Sequence, residues 1–244
     1  PTFMLAAGKL RWFQLHRPEA YARITNVLTL ADWLAWKLTG ELTRERTLAA
    51  ESGLLNIWSR GPLADLYQHL GLHHDTPMLV TASDIIGETS TESAALSGLD
   101  MGTPVVAAGA DTQAGLIGLG VARASDVGLI AGWSAPVQMV TSQPMLAPMG
   151  ETWTGLHPIE NRWVLESTTG DMGNSYRWLR AMLVGPGSDG YSQLDELSDS
   201  VPVGSEGARS YLGPGRMDMS NLGMRQGGML FPVPMTVTGF GKAH

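Results

Sequence analysis

The stretch from Thr103 to Val140, TPVVAAGADTQAGLIGLGVARASDVGLIAGWSAPVQMV, constrains the fold of this chain more than any other. Pro104 to Ala108 is an apolar run and predicts a buried strand. It stops at Gly109-Ala110-Asp111. The small residues from Thr112 to Gly120 then predict a tightly packed helix, although their glycines lower its propensity. A second apolar run, Val127 to Ala131, breaks at Gly132-Trp133-Ser134-Ala135-Pro136, and a third strand is expected at Val137 to Val140. A strand, an acid at a helix start and a glycine-bearing turn between strands indicate an α/β chain. In such sheets ligands gather beyond the carboxyl ends of the strands. The pattern suits a catalytic carboxylate beside a phosphate-binding turn.

The flanking sequence supplies helices and shorter extended segments. Lys9 to His16 predicts a short helix, and Pro18 suits the first turn of the next. Thr29 is placed to cap a helix carrying Leu30, Trp33, Leu34, Trp36 and Leu38, which Gly40 ends. Trp33 and Trp36 are expected as core or half-buried packing. Leu42 to Ala50 is ambiguous, and Thr47 to Gly53 can turn toward a pocket. Leu54 to Trp58 reads as extended, Leu63 to Leu70 as a helix, Met78 to Val80 as extended, Ile85 to Glu88 as a turn, and Ser93 to Ser97 as a helix capped by Ser90 or Thr91. Beyond Val140, Trp153 to His157 and Trp163 to Ser167 are expected to pair across Pro158-Ile159-Glu160-Asn161. Helices follow near residues 176–183 and 191–197, then a strand at Tyr211-Leu212 and a polar, Met-rich loop from Arg216. The change of texture near residues 131–145 marks the expected domain boundary.

Composition narrows the function. Net charge is −7, and no Lys/Arg cluster supplies the basic face that duplex nucleic-acid binding requires. A small-molecule substrate is the simpler expectation, and backbone amides can still bind phosphate. The chain has no Cys, which removes disulfides and thiolate metal sites. No run of 18 apolar residues indicates a membrane span and no basic-then-apolar leader opens the sequence, so the expected compartment is the cytoplasm. Both ends read as cut, which marks the chain as an internal fragment or an incompletely represented protein.

Bare chemistry leaves several alternatives open. Asp111 can be a general base for phosphoryl transfer, or it can cap its helix by accepting the amides of Gln113 or Ala114. Gln113 can bond a polyol hydroxyl or stand as an ordinary helical glutamine. Gly132 to Pro136 can bring backbone amides and Ser134 to a phosphate, or be a plain turn. Gly170, Asp171 and Gly173 before a helix offer a second nucleotide contact or a simple loop. No Walker A run is present. The histidines are scattered, and His73-His74 lacks the HExxH spacing of a zinc site. No metal ligands are identified.

The ordered motifs resemble the FGGY family of carbohydrate kinases. Lys9 and Trp12, followed by Phe13, match its lysine-x-x-tryptophan signature and lead into ADWLAWKLTGEL (31–42) and AAESGL (49–54). GTPVVAAGADTQAGLIGLG (102–120) resembles the region bearing the catalytic aspartate. GWSAPVQMV (132–140) and WVLESTTGDMGNSYRWLRAML (163–183) resemble nucleotide-side elements. The resemblance implies a two-lobed, actin-like ATPase fold of the ribonuclease H kind, here incomplete at both ends. Residues 1–131 would form the latter part of the sugar-binding lobe and 132–244 the first part of the nucleotide-binding lobe. It implies ATP and Mg²⁺ as cofactors, a small sugar or polyol (a pentulose, an aldonate or similar) as substrate, and Asp111 as base. Trp12 and Gln113 would lie on the substrate side; Gly132, Trp133, Ser134, Gly170 and Gly173 would lie on the nucleotide side. A homodimer is one assembly this leaves open.

Two departures stand against the family pattern. The N-terminal strand and phosphate loop expected of the family are not in this sequence, and Trp133 takes the place of a small hydroxyl residue. The isolated fragment is therefore expected to lack full kinase activity. A noncatalytic carbohydrate-binding or regulatory relative is the competing reading, and a hydrolase is a weaker third.

Overall fold

The computed structural model describes residues 5–72, 77–148, 150–168, 170–185, 187, 190–211 and 227–232. The expectations for His73-His74, Thr169, Leu212 and the loop from Arg216 lie outside those residues. The chain forms two compact units. The first comprises Pro1–Gly128 and Gln138–Glu166; the second comprises Leu129–Val137 and Ser167–His244. The chain thus passes between the units more than once.

The elements run α1 (Ala6–His16), α2 (Pro18–Tyr21), α3 (Leu30–Thr39), β1 (Thr43–Glu45), α4 (Arg46–Glu51), α5 (Ala64–His69), β2 (Met78–Val80), β3 (Ile85–Glu88), α6 (Thr91–Ser97), β4 (Pro104–Val106) and α7 (Asp111–Gly118). They continue with β5 (Val127–Leu129), β6 (Val137–Thr141), β7 (Trp153–Leu156), β8 (Trp163–Ser167), α8 (Met172–Val184), α9 (Gly190–Asp199), β9 (Arg209–Tyr211) and β10 (Gly228–Leu230). β1 pairs in parallel with β2, and β3 pairs antiparallel with β4. A four-stranded sheet has the order β5-β6-β8-β7. In it β7 and β8 form an antiparallel hairpin, Trp153 opposite Glu166 and Leu156 opposite Trp163. In the second unit β9 and β10 form an antiparallel pair.

The first unit's core joins α1, α4 and α5 to this hairpin. Ala6, Leu10, Ala49, Ala50, Leu54, Leu55, Tyr67, Leu72 and Leu156 pack together, with Trp163 against them. The Trp163 indole donates to Ile57 O at 2.7 Å, and the Arg60 guanidinium lies over its ring. His157 secures the hairpin turn. Its Nδ1 accepts from Ile159 N and its Nε2 faces Val121 O, a pairing that suits the neutral ring; burial holds its pKa below the usual value.

Local chemistry explains the helix ends. Thr29 and Asp32 form a reciprocal capping box on α3, and Gly40 ends it at φ +82°. Ser90 caps α6, and Gly98 closes it at φ +77°. The inner face of α3 carries Asp32 and Ala35, while Trp33 is 45% exposed. Polar demand sets that orientation, because Asp32 Oδ1 also accepts from Glu45 N at 3.0 Å.

Three expectations are corrected. β4 is not a buried strand: Val106 is half exposed, because among the described residues β4 pairs only with β3, and β5, the edge of its sheet, is similarly open at Val127 and Leu129. Ile85 to Glu88 is a strand rather than a turn; its β-branched pair favours extension, and Gly87 lets it pass Thr39, whose Cβ would lie 3.1 Å from an added methyl. Leu54 to Trp58 does not form a strand, since the Asn56 side chain accepts from Trp58 N and Ser59 N and turns the chain.

Candidate functional site

Asp111 opens α7 directly beyond the turn that follows β4. The helix cap is Ala110, with extended backbone and no side-chain bond. The Asp111 carboxylate does not accept from Gln113 or Ala114, so the capping alternative falls away. Its Oδ1 accepts only the adjacent Thr112 N at 2.8 Å, and the residue is exposed. Among the described residues the carboxylate makes no other hydrogen bond.

Its backbone is held from behind. Ala110 N donates to Thr47 Oγ1 at 2.7 Å, and Thr47 Oγ1 donates to Glu45 Oε2 at 2.6 Å. Glu45 Oε2 also caps α4 through Leu48 N, while Glu45 N is held by Asp32. A chain of buried hydrogen bonds thus runs from the α3 cap to the residue before Asp111. Gly109 is required within it. Its φ is +96°, and a β-carbon there would approach Thr47 Oγ1 to 3.1 Å. Thr47→Val removes the acceptor of a buried N–H and a donor to Glu45, and is expected to lower stability by about 2 kcal/mol. Thr47→Ser is expected to restore most of it, and urea midpoints with unchanged slopes check both.

Behind Asp111 lies a buried polar network. Gln113 is fully buried; its Nε2 donates to Glu51 Oε1 at 2.8 Å and its Oε1 accepts from Thr112 Oγ1 at 2.7 Å. Gln138, also fully buried on β6, donates from Nε2 to Glu166 Oε2 at 2.6 Å and reaches Thr112 Oγ1 at 3.5 Å. Gln138 Oε1 has no hydrogen-bond partner among the described residues. The two glutamates sit in unusual surroundings. Burial raises the Glu51 pKa most and the charge of Glu166 adds to it. The Gln113 and Trp153 donors oppose the rise, the charge of Asp111 reinforces it, and the result is about 7. Burial likewise pushes Glu166 up. The Trp153 indole N–H lies near Glu51 without the alignment of a full hydrogen bond. Gly155 makes room for the carboxyl, since a β-carbon there would collide with Glu51 Oε1.

In the second unit the two glycine-bearing segments meet. Gly132 N donates to Ser134 O, which closes a tight turn, and Gly173 N donates to Trp133 O; both are 2.8 Å. A β-carbon at Gly173 would approach Trp133 Cα to 3.2 Å, so glycine allows α8 to start against this turn. Gly170 has φ +75°, and Asp171 accepts from Asn174 Nδ2. Trp133 is 59% exposed.

The other predicted residues are placed as follows. Trp12 stands half exposed on α1, edge-on to Phe13 and beside His16. None of its described ring contacts reaches Asp111. Gln113 is next to the site but its amide is committed to Glu51 and Thr112. Sequence reasoning named Thr47 to Gly53 as a segment turning toward a pocket but gave Thr47 and Glu51 no role, and it did not single out Glu45, Gln138 or Glu166. The one available signal was polar residues in otherwise apolar windows, as in LAAESGLL and VQMV. Among the described residues no group of three His, Cys, Asp or Glu side chains is placed to hold a metal ion, and no helix is long and apolar enough to cross a membrane.

Comparison with known proteins places these features in context. Residues 2–118 match the profile described as "FGGY family of carbohydrate kinases, N-terminal domain". An autoinducer-2 kinase of Klebsiella pneumoniae is 33% identical over 214 residues, which are 83% of this chain and 40% of that protein. A xylulose kinase structure from Rhodospirillum rubrum superposes with a TM-score of 0.78 at 26% identity, covering 99% of this chain and 49% of that one. A Plasmodium falciparum glycerol kinase solved with ADP gives a TM-score of 0.74 at 15% identity, covering 97% and 48%. The chain therefore spans 40–49% of these three proteins, and its fold is that of the actin-like ATPases.

Proposed function

This chain belongs to the FGGY family of carbohydrate kinases, and on that premise we propose that the protein to which it belongs transfers the γ-phosphoryl group of ATP to a hydroxyl of a small sugar or polyol. The observation that carries the reading is Asp111: an exposed carboxylate with a single local hydrogen bond, at a helix start whose backbone is pinned by Thr47. Asp111 accepts the proton of the acceptor hydroxyl while that oxygen forms a bond to the γ-phosphorus. The bond from the γ-phosphorus to the β–γ bridging oxygen breaks, and ADP leaves with the electron pair. A positioned carboxylate suits this task because the reaction asks the protein mainly for alignment and charge stabilisation.

The donor contacts are assigned to the second unit: the Gly132-Trp133-Ser134 turn, with Gly170 and Gly173 at the start of α8. Magnesium in such reactions is held largely by phosphate oxygens and water, with one or two carboxylates, so the lack of a protein metal cluster among the described residues is compatible with it. Trp12 is assigned to the acceptor side, and Gln113 supports that side from beneath. The acceptor class follows the relatives: autoinducer-2, xylulose or a similar small polyhydroxylated molecule.

The test is phosphoryl transfer by the full-length protein across a panel containing autoinducer-2, xylulose, glycerol and an aldonate. The expected result is ADP release that depends on one acceptor and matches product formed. The exposed Trp133 favours a second reading, a noncatalytic sugar-binding relative. Acceptor binding without phosphorylation of any panel member would establish that reading instead.

A further inference from the structure

Glu51 has no role in the transfer step just described, yet its half-buried side chain ends the network behind Asp111. Its surroundings are built for it. Gly155 leaves space where any side chain would collide, Gln113 Nε2 donates to it at 2.8 Å, and the Trp153 N–H lies beside it. The network continues through Gln113 Oε1 to the Thr112 hydroxyl, and Thr112 N is the sole donor to Asp111. One carboxyl therefore touches α7 two residues beyond the proposed base.

We propose that Glu51 is a positioning residue of the phosphotransferase site, acting through Gln113 and Thr112, and that its ionisation raises turnover by adding a second negative charge behind Asp111. The proposal rests on Asp111 being the base. A nearby anion strengthens a carboxylate base, and a general base works better as its proton affinity approaches the operating pH.

The groups acting on Glu51 agree with this. Asp111 from α7 and Glu166 from β8 are both acidic; Gln113 and Trp153 are neutral donors; no cation acts on it. The other charged groups on α4 and β1 are engaged elsewhere. Arg46 donates to Arg60 O, Glu45 accepts from Thr47 and Leu48, and Arg44 donates to Val27 O. Glu51 is held to a pKa of about 7, so the added charge is switched within the working range of pH.

The full-length protein tests this in two ways. In pH profiles the wild type is expected to gain roughly threefold in kcat through a step near pH 7, with KM little changed. Glu51→Gln, which keeps an acceptor for Gln113 but cannot ionise, is expected to lack that step and to hold the low-pH rate. Coincident wild-type and variant profiles would overturn the proposal. The second test is a carboxyl ¹³C NMR titration with labelled glutamate, the Glu51 resonance being assigned by its loss in Glu51→Gln or, should that variant not fold, by Glu51→Asp. Its midpoint is expected near neutrality in the wild type and lower in Asp111→Asn. A midpoint in the ordinary carboxylate range, or one indifferent to Asp111→Asn, defeats the coupling. Absence of phosphoryl transfer by the wild type would count against the kinase reading, while the titration would still decide whether Glu51 and Asp111 interact.

Discussion

Asp111→Asn in the full-length protein is expected to lower kcat for phosphoryl transfer by roughly 10²–10⁴-fold, the range that general-base catalysis supplies. Several features make this substitution a clean measurement. Asparagine has the same shape, and its amide oxygen can still accept from Thr112 N, the only hydrogen bond that Asp111 makes. The side chain is exposed, so no desolvated partner is stranded. Ala110 rather than Asp111 caps the helix, and the pinning bond to Thr47 is made by backbone. Stability and acceptor KM are therefore expected to stay close to wild type while kcat falls, the signature of an interaction made mainly in the transition state. Undiminished kcat in the variant removes Asp111 from the mechanism. A parallel loss of thermal stability would instead assign it a structural role.

The place of Asp111 at a helix start was legible because a strand, a tight turn and a helix start leave a linear trace. Pro and β-branched residues, then Gly109, then small helical residues follow one another in sequence. The hairpin of β7 and β8 was legible for the same reason: two apolar runs flank a Pro-Ile-Glu-Asn turn. The α3 and α6 boundaries followed from Thr29, Ser90, Gly40 and Gly98, whose chemistry acts within a few residues. The exposure of β4 and β5 was not legible. An apolar run reports that a strand can be buried, whereas the number of its pairing partners depends on residues distant in sequence.

The network behind Asp111 was hidden for a related reason. Glu51 meets Gln113 across 62 positions and Gln138 meets Glu166 across 28. Each residue alone is unremarkable in its window; LAAESGLL reads as a plain helix end whether Glu51 faces solvent or interior. Gly155 was the complementary half of the signal. A glycine in a strand reports a close approach, though not by which group. Even Gln113, placed beside the site from sequence, is spent on holding Glu51 and Thr112 rather than left free.

Glu51 also makes stability depend on pH in a direction opposite to that of a salt-bridged carboxylate. Its folded pKa of about 7 lies above the ordinary glutamate value of about 4.5. Between those values the native state holds a proton that the unfolded chain has lost, so stability is greatest below about pH 4.5 for this group and falls until about pH 7. The shift corresponds to about 3 kcal/mol. Glu51→Gln removes the titration while keeping the Gln113 bond. The variant is therefore expected to gain on the wild type as pH rises: the difference between their unfolding free energies moves by about 3 kcal/mol in the variant's favour between pH 4.5 and pH 8. Taking the difference cancels the contribution of His157, which titrates in both proteins. Urea unfolding at a series of pH values, with equal slopes for the two proteins, measures it. A difference independent of pH would mean that Glu51 has the same pKa folded as unfolded, and that the carboxyl behind Asp111 is already charged near neutral pH.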